Sequence, residues 1–119
     1  MDIAAAEKAL TCLVAQRSGL EADRTVICGN DVPEAAPLVC VRFASGRAAT
    51  ATALAEFTAS VRGSFAEPEE ARAFAAAVWG SLPQYAVSGF AEVAAEGVVE
   101  FAERNGFFTA AGRLRVRFA

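Results

Sequence analysis

Residues 67–83 read EPEEARAFAAAVWGSLP, and this stretch decides the fold class. Pro68 falls in the first turn of a predicted helix, where its missing N–H costs nothing. Glu69 and Glu70 put acid at the positive end of the helix dipole. Ala71, Phe74, Ala75, Val78 and Leu82 then recur at i, i+3, i+4, i+7 and i+11, with Trp79 beside the stripe. Gly80 and Pro83 stop the helix. Its apolar side is single, so the helix is expected to pack on a sheet.

The sequence on both sides supplies that sheet. Before the helix, Phe57, Ala59 and Val61 alternate with Glu56, Thr58, Ser60 and Arg62. Period two predicts a strand over residues 53–62, ended by Gly63. After the helix, residues 90–95 read as one strand, Gly97 follows, and residues 98–101 read as another. Asn105-Gly106 is a strong hairpin-turn signal. A further turn is expected at Ala110–Gly112. Leu114, Val116 and Phe118 then alternate with Arg113, Arg115 and Arg117, which gives a last strand with one buried and one cationic face.

At the other end, Asp2 is a candidate N-cap. Ile3, Ala6, Leu10, Leu13, Val14 and Arg17 follow at helical spacing, and Gly19 closes a helix over residues 3–18. Its stripe is narrow and partly alanine, so it too is expected to lie on a sheet. Residues 25–28 and 38–43 are apolar runs separated by the turn cluster Gly29-Asn30-Asp31-Val32-Pro33 and by Pro37. An antiparallel pair is the simplest arrangement, and it could bring Cys28 near Cys40. Residues 44–52 are small and polar and read as an exposed loop. The element order is α-β-β-β-α-β-β-β. Strands and helices do not alternate one for one, which disfavours a doubly wound parallel sheet. The expectation is an α+β fold: an antiparallel or mixed β-sheet with two helices packed on one face, as a single domain over residues 1–119.

Composition narrows the functions available. The chain has 119 residues and no histidine, which removes Ser-His-Asp triads, Cys-His pairs and HExxH zinc sites. Of its residues, 29 are alanine, and Leu, Ile, Val and Phe together make up 30, enough for one packed core. Net charge is −3, with ten arginines and one lysine, so there is no lysine-rich tail for nucleic acid or anionic lipid. The three cysteines, Cys12, Cys28 and Cys40, form no CxxC and point to a reducing compartment. Asp2, Glu7 and Lys8 do not make the start of a secretory leader. Residues 73–91 carry no charge over a bilayer's length, but Gly80, Pro83 and Gly89 would break a spanning helix, and a helix end, turn and strand are expected instead.

Motifs for chemistry are scarce. Neither GxxxxGK[ST] nor GxGxxG occurs. Asn30, Asp31 and Glu34 form a short oxygen-rich cluster that turn hydrogen bonds explain more simply than calcium. Glu69 and Glu70 are accounted for by the helix N-terminus, and Glu92, Glu96 and Glu100 by solvated positions. No catalytic, cofactor-binding or metal-binding residue is assigned, and a non-enzyme is expected. Arg113, Arg115 and Arg117 are the most pointed charge pattern. They suit either a recognition surface or a solvated strand face that discourages edge-to-edge aggregation. The acidic chain and the lack of a basic patch with aromatics argue against sequence-specific nucleic acid.

The order of elements resembles the tail-terminator (tail-completion, minor capsid) proteins of long-tailed bacteriophages. Three segments carry the likeness. One is the N-terminal helix with Gly19-Leu20, then the strand and Pro-containing loop from Arg24 to Pro33. The second is Val61-Arg62-Gly63 followed by Glu69-Glu70-Ala71-Arg72-Ala73 and its helix. The third is the span from Gly97 through Phe101 to Gly112-Arg113 and the closing strand. The resemblance implies a structural protein of the virion tail, assembled in the bacterial cytoplasm. It would form a homo-oligomeric ring, typically a hexamer, at the head-proximal end of the tail tube. Its partners would be itself, the tail-tube protein and the head–tail connector, with no membrane and no cofactor. Candidate interface positions are Asn30 and Asp31 in one loop, Ser45, Gly46 and Arg47 in another, and the face of Arg113, Arg115 and Arg117. The alternatives are a small ligand-binding or regulatory module that dimerises through its sheet, and an enzyme using carboxylates alone.

Overall fold

Six strands form one mixed sheet in the order β1-β2-β3-β6-β5-β4, and two helices lie against the same side of it. The computed structural model describes residues 3–20, 26–28, 38–48, 54–80, 84–87 and 90–118. The elements are α1 (Ile3–Ser18), β1 (Val26–Cys28), β2 (Leu38–Ala48), β3 (Leu54–Phe65), α2 (Pro68–Trp79), β4 (Gln84–Val87), β5 (Phe90–Arg104) and β6 (Phe107–Phe118). The chain is α+β, in the expected order.

Both helices form where expected. Gly19 follows α1 at φ +73°, a left-handed position that glycine takes without strain, and the Leu20 N–H returns to the Ala15 carbonyl. Pro68 opens α2, and the Gly80 N–H closes it on the Ala76 carbonyl. Ala6, Leu10, Leu13 and Val14 of α1 meet Ala71, Phe74, Ala75 and Val78 of α2 above the strands. Asp2 and Leu82 lie outside the described residues.

Alternation in the strands builds the other half of the core. Val39 and Val41 of β2, Phe57, Ala59 and Val61 of β3, and Leu114 and Val116 of β6 are all buried beneath the helices. Register aligns them: Val41 opposes Val61, Phe43 opposes Ala59, and Ala59 and Phe57 oppose Leu114 and Val116. Phe57 is the hub. Its ring stacks on those of Phe43 and Phe118, at centroid distances of 6.1 and 5.6 Å, and meets Phe90 edge-on.

Several local expectations are corrected. The β1–β2 pair is parallel, with Ile27 opposite Cys40 and Cys28 opposite Val41, so Cys28 and Cys40 are not facing partners. Apolar runs specify strands but not their direction, which pairing elsewhere in the sheet decides. β2 does not end at Phe43. It continues through Ala48 because β3 supplies a ladder for residues too small and polar to signal a strand by themselves. β3 likewise runs past Gly63 to Phe65, since the bare glycine backbone admits the rings of Phe65 and Phe74. The two strands expected over 90–101 are one strand, β5, interrupted by a bulge between Glu96 and Glu100. No turn breaks β6 at Ala110–Gly112. Ala110 and Ala111 sit between β3 and β5 and are paired on both sides, and Gly112 is paired with Val61 of β3. β4 was not legible as a strand, and it adds an antiparallel edge against β5.

The charge-free stretch 73–91 is thus divided between the end of α2, β4 and the start of β5. No described helix is long and apolar enough to cross a membrane.

Candidate functional site

The side of the sheet away from the helices, its open side, is ordered by register; it is exposed at Arg42, Arg113 and Arg115 and buried at Cys40, Ser64 and Thr109. Four rows run across β2, β3, β6 and β5. The first is Arg47–Glu56–Arg117–Glu92, the second Ser45–Thr58–Arg115–Ala94, the third Arg42–Ser60–Arg113–Glu96, and the fourth Cys40–Arg62–Ala111–Glu100. Directly opposed residues on neighbouring strands point to the same face, so each row is a line of side-chain neighbours.

Alternating charge makes the first row a ladder of ion pairs. Arg47 Nη2 lies 3.5 Å from Glu56 Oε2, and Arg117 Nη2 lies 3.9 Å from Glu92 Oε2. The Arg47 and Arg117 side chains are 72% and 56% exposed, so water screens these pairs and they act on orientation more than on stability. Thr58 Oγ1 donates diagonally to Glu96 Oε2 at 2.8 Å, which holds that carboxylate between the second and third rows. Among the described residues Arg42, Arg113 and Arg115 make no ion pair, and all three are exposed.

Two backbone irregularities place these groups. In β2 the register shifts between Phe43 and Ser45, so Ala44 is bulged out. Before the shift the odd-numbered Val39, Val41 and Phe43 face the helices. After it Ser45 and Arg47 face the open side, and Gly46 lies under the Phe43 ring, where a Cβ would come within 3.1 Å. In β5 the bulge at 96–100 contains Gly97 at φ +72° and adds two residues, so Glu100 and not Val98 stands opposite Ala111. A third device acts from the helix side. Trp79 of α2 covers Gly112, and its indole Nε1–H donates to the Arg113 carbonyl at 3.2 Å. The backbone that carries Arg113 is thereby fixed from beneath.

Two open concavities result. One, of about 320 Å³, is lined by Ser45, Gly46, Arg47, Glu56, Thr58 and Arg115 among others. The next, of about 470 Å³, has Ser60, Val98, Glu100 and Arg113 in its wall, and Glu96 belongs to both. The structure therefore brings Ser45, Gly46, Arg47 and Arg115 into one groove. It sets Arg113 in the adjoining one, and it pairs Arg47 with Glu56 and Arg117 with Glu92. Ser45, Gly46 and Arg47 are strand residues, not the loop residues expected. Asn30 and Asp31 lie outside the described residues. Glu56 and Glu92 as the partners of Arg47 and Arg117, and Thr58 as the donor to Glu96, were not expected. Their own alternation was the available signal, but only the strand pairing says which arginine each meets.

A different surface lies on the far half of the β5–β6 hairpin. Asn105 at φ 53° and Gly106 at φ 81° make its expected tight turn. Short of the turn, Phe101 is 55% exposed, and Val98 in the bulge is 79% exposed. Phe101 and Phe108 line a cavity of about 290 Å³ with Pro68 and Ala71 of α2.

Donors and acceptors crowd the open face, and its concavities are shallow, which suits contact with another macromolecular surface. Among the described residues no group of three or more His, Cys, Asp or Glu converges as metal ligands would. Of the cysteines described, Cys12 is exposed and Cys40 is buried. Comparison of the chain with protein-family models and with curated proteins gives no match.

Proposed function

We propose that this chain is a structural assembly subunit, a tail-terminator-like protein of a phage or prophage that forms a ring at the head-proximal end of the tail tube. In that role it ends tube polymerisation and joins the tail to the head connector. The observation that carries the reading is the far half of the β5–β6 hairpin. There Val98, in the wall of the open-face groove, and Phe101, beside Pro68 and Ala71 of α2, present large apolar side chains to solvent at 79% and 55% exposure. Exposed apolar residues beside a laced polar face fit a surface that associates. The element order that resembles the tail-terminator family supports the more specific role.

Native mass spectrometry over a concentration range, with and without tail-tube protein, tests the proposal. The expected result is a closed oligomer, visible as rings in negative-stain micrographs. A strict monomer under every condition, tail-tube protein included, overturns it.

A further inference from the structure

The open face and the outer end of α2 carry opposite charge. On the open face six arginines (Arg42, Arg47, Arg62, Arg113, Arg115, Arg117) stand among four glutamates (Glu56, Glu92, Glu96, Glu100). Glu56 and Glu92 are taken up by Arg47 and Arg117, and Glu96 accepts from Thr58. Arg42, Arg113 and Arg115 are left presented to solvent. At the start of α2, Glu67, Glu69 and Glu70 are exposed, with Arg72 the one cation of that end. Arg42, Arg113 and Arg115 leave the one surface cationic, and Glu67, Glu69 and Glu70 leave the other acidic.

These surfaces lie on opposite sides of the molecule. α2 packs on the covered side of the sheet, and the arginines project from the other. They cannot meet within one chain. A two-fold dimer cannot engage both either, because its contact uses one patch of each subunit twice. Charge matching between opposite sides joins copies head to tail, and such a contact closes into a ring when its rotation permits.

We propose that the acidic first turn of α2 in one copy docks on the Arg42–Arg113–Arg115 surface of the next. The proposal rests on the reading of this chain as a self-assembling subunit and names the contact that would drive it. The chemistry is guanidinium–carboxylate pairing, in which arginine's planar fork receives two carboxylate oxygens. Val98 beside Arg113 supplies an apolar contact at the margin of the same surface. Thr58 and Trp79 act as positioning residues: one holds the Glu96 carboxylate in place, and the other fixes the backbone that carries Arg113.

Two charge-reversal variants of the full chain test this, one carrying Arg113→Glu with Arg115→Glu, the other Glu69→Arg with Glu70→Arg. Circular dichroism checks that both fold, and sedimentation velocity reads assembly. Each variant alone presents like charge at the contact and is expected to self-associate at least about tenfold more weakly than the parent chain. An equimolar mixture is expected to recover the parent's assembled mass, because each subunit then meets an oppositely charged neighbour. Should a variant fail to fold, Arg115→Gln and Glu70→Gln give the milder form, each expected to weaken assembly and to flatten its dependence on salt. Folded variants that assemble like the parent overturn the docking and leave the assembly reading standing. So do folded variants that assemble neither alone nor mixed. A parent chain that never assembles, even with tail-tube protein, overturns both.

Discussion

The two faces of β6 differ more than any other pair of surfaces in the molecule. On one, Leu114 and Val116 are buried under the helices, with Val116 opposite Phe57. On the other, Arg113, Arg115 and Arg117 stand among glutamates in water. Both faces come from a single alternating stretch, yet they carry different free energies. Burial on the covered face is paid in lost water contact, roughly 25 cal/mol per Å² of apolar area. Pairing on the open face is screened and worth little to the fold. Mutation should therefore separate them: the covered face sets stability, and the open face and the hairpin end set association.

The largest effect is expected at the hub of the covered face. Phe57→Ala removes a fully buried ring that touches Phe43, Phe90 and Phe118, and should cost about 3–5 kcal/mol in chemical unfolding. A loss below about 1 kcal/mol would mean that the rings do not form one core. Next comes Gly112→Ala. Its Cβ would meet the Trp79 ring at 2.8 Å, so the indole must move and the expected cost is about 1–3 kcal/mol. Trp79 is the sole tryptophan, so its fluorescence should shift to the red as it leaves the Arg113 carbonyl.

A smaller effect tests the bulge that keeps the faces in phase. Gly97→Ala meets open space but must take a φ of +72°, at a cost of roughly 1–2 kcal/mol. On the open face, Glu56→Gln should change stability by no more than about 1 kcal/mol, since its partner Arg47 is largely exposed. Smallest of all for stability is Phe101→Ser on the hairpin end, expected within about 0.5 kcal/mol of the parent. The same change should weaken self-association measured by sedimentation, and an unaltered association constant would remove the hairpin from the interface.

How far these features could be read in advance depended on whether their cause was local. The Asn105-Gly106 turn was legible because a tight hairpin needs two residues at positive φ, and both residues tolerate it. Counting outward from that turn pairs Arg104 with Phe107 and Glu100 with Ala111, as observed. The same count would place Glu96 opposite Arg115. The bulge moves it to Arg113, and nothing in Gly97 alone states how many residues are extruded. The Arg113–Arg115–Arg117 face was likewise legible from alternation, but Glu92, which pairs with Arg117, was not legible as its partner, since it comes from β5. Ser45, Gly46 and Arg47 were singled out as exposed. Their place in β2 was hidden because a strand of small polar residues owes its structure to the neighbouring ladder.

Sequence alone determined the two helices, the α+β class and the division of β6 into an apolar and a cationic side. Those follow from period, capping and side-chain size within a few residues. Tertiary structure alone decided the parallel direction of β1, the length of β2 and β5, and the pairing of Arg47 and Arg117. Those depend on hydrogen-bond ladders between strands distant in the chain, where two bulges shift the register and so choose which side chains meet.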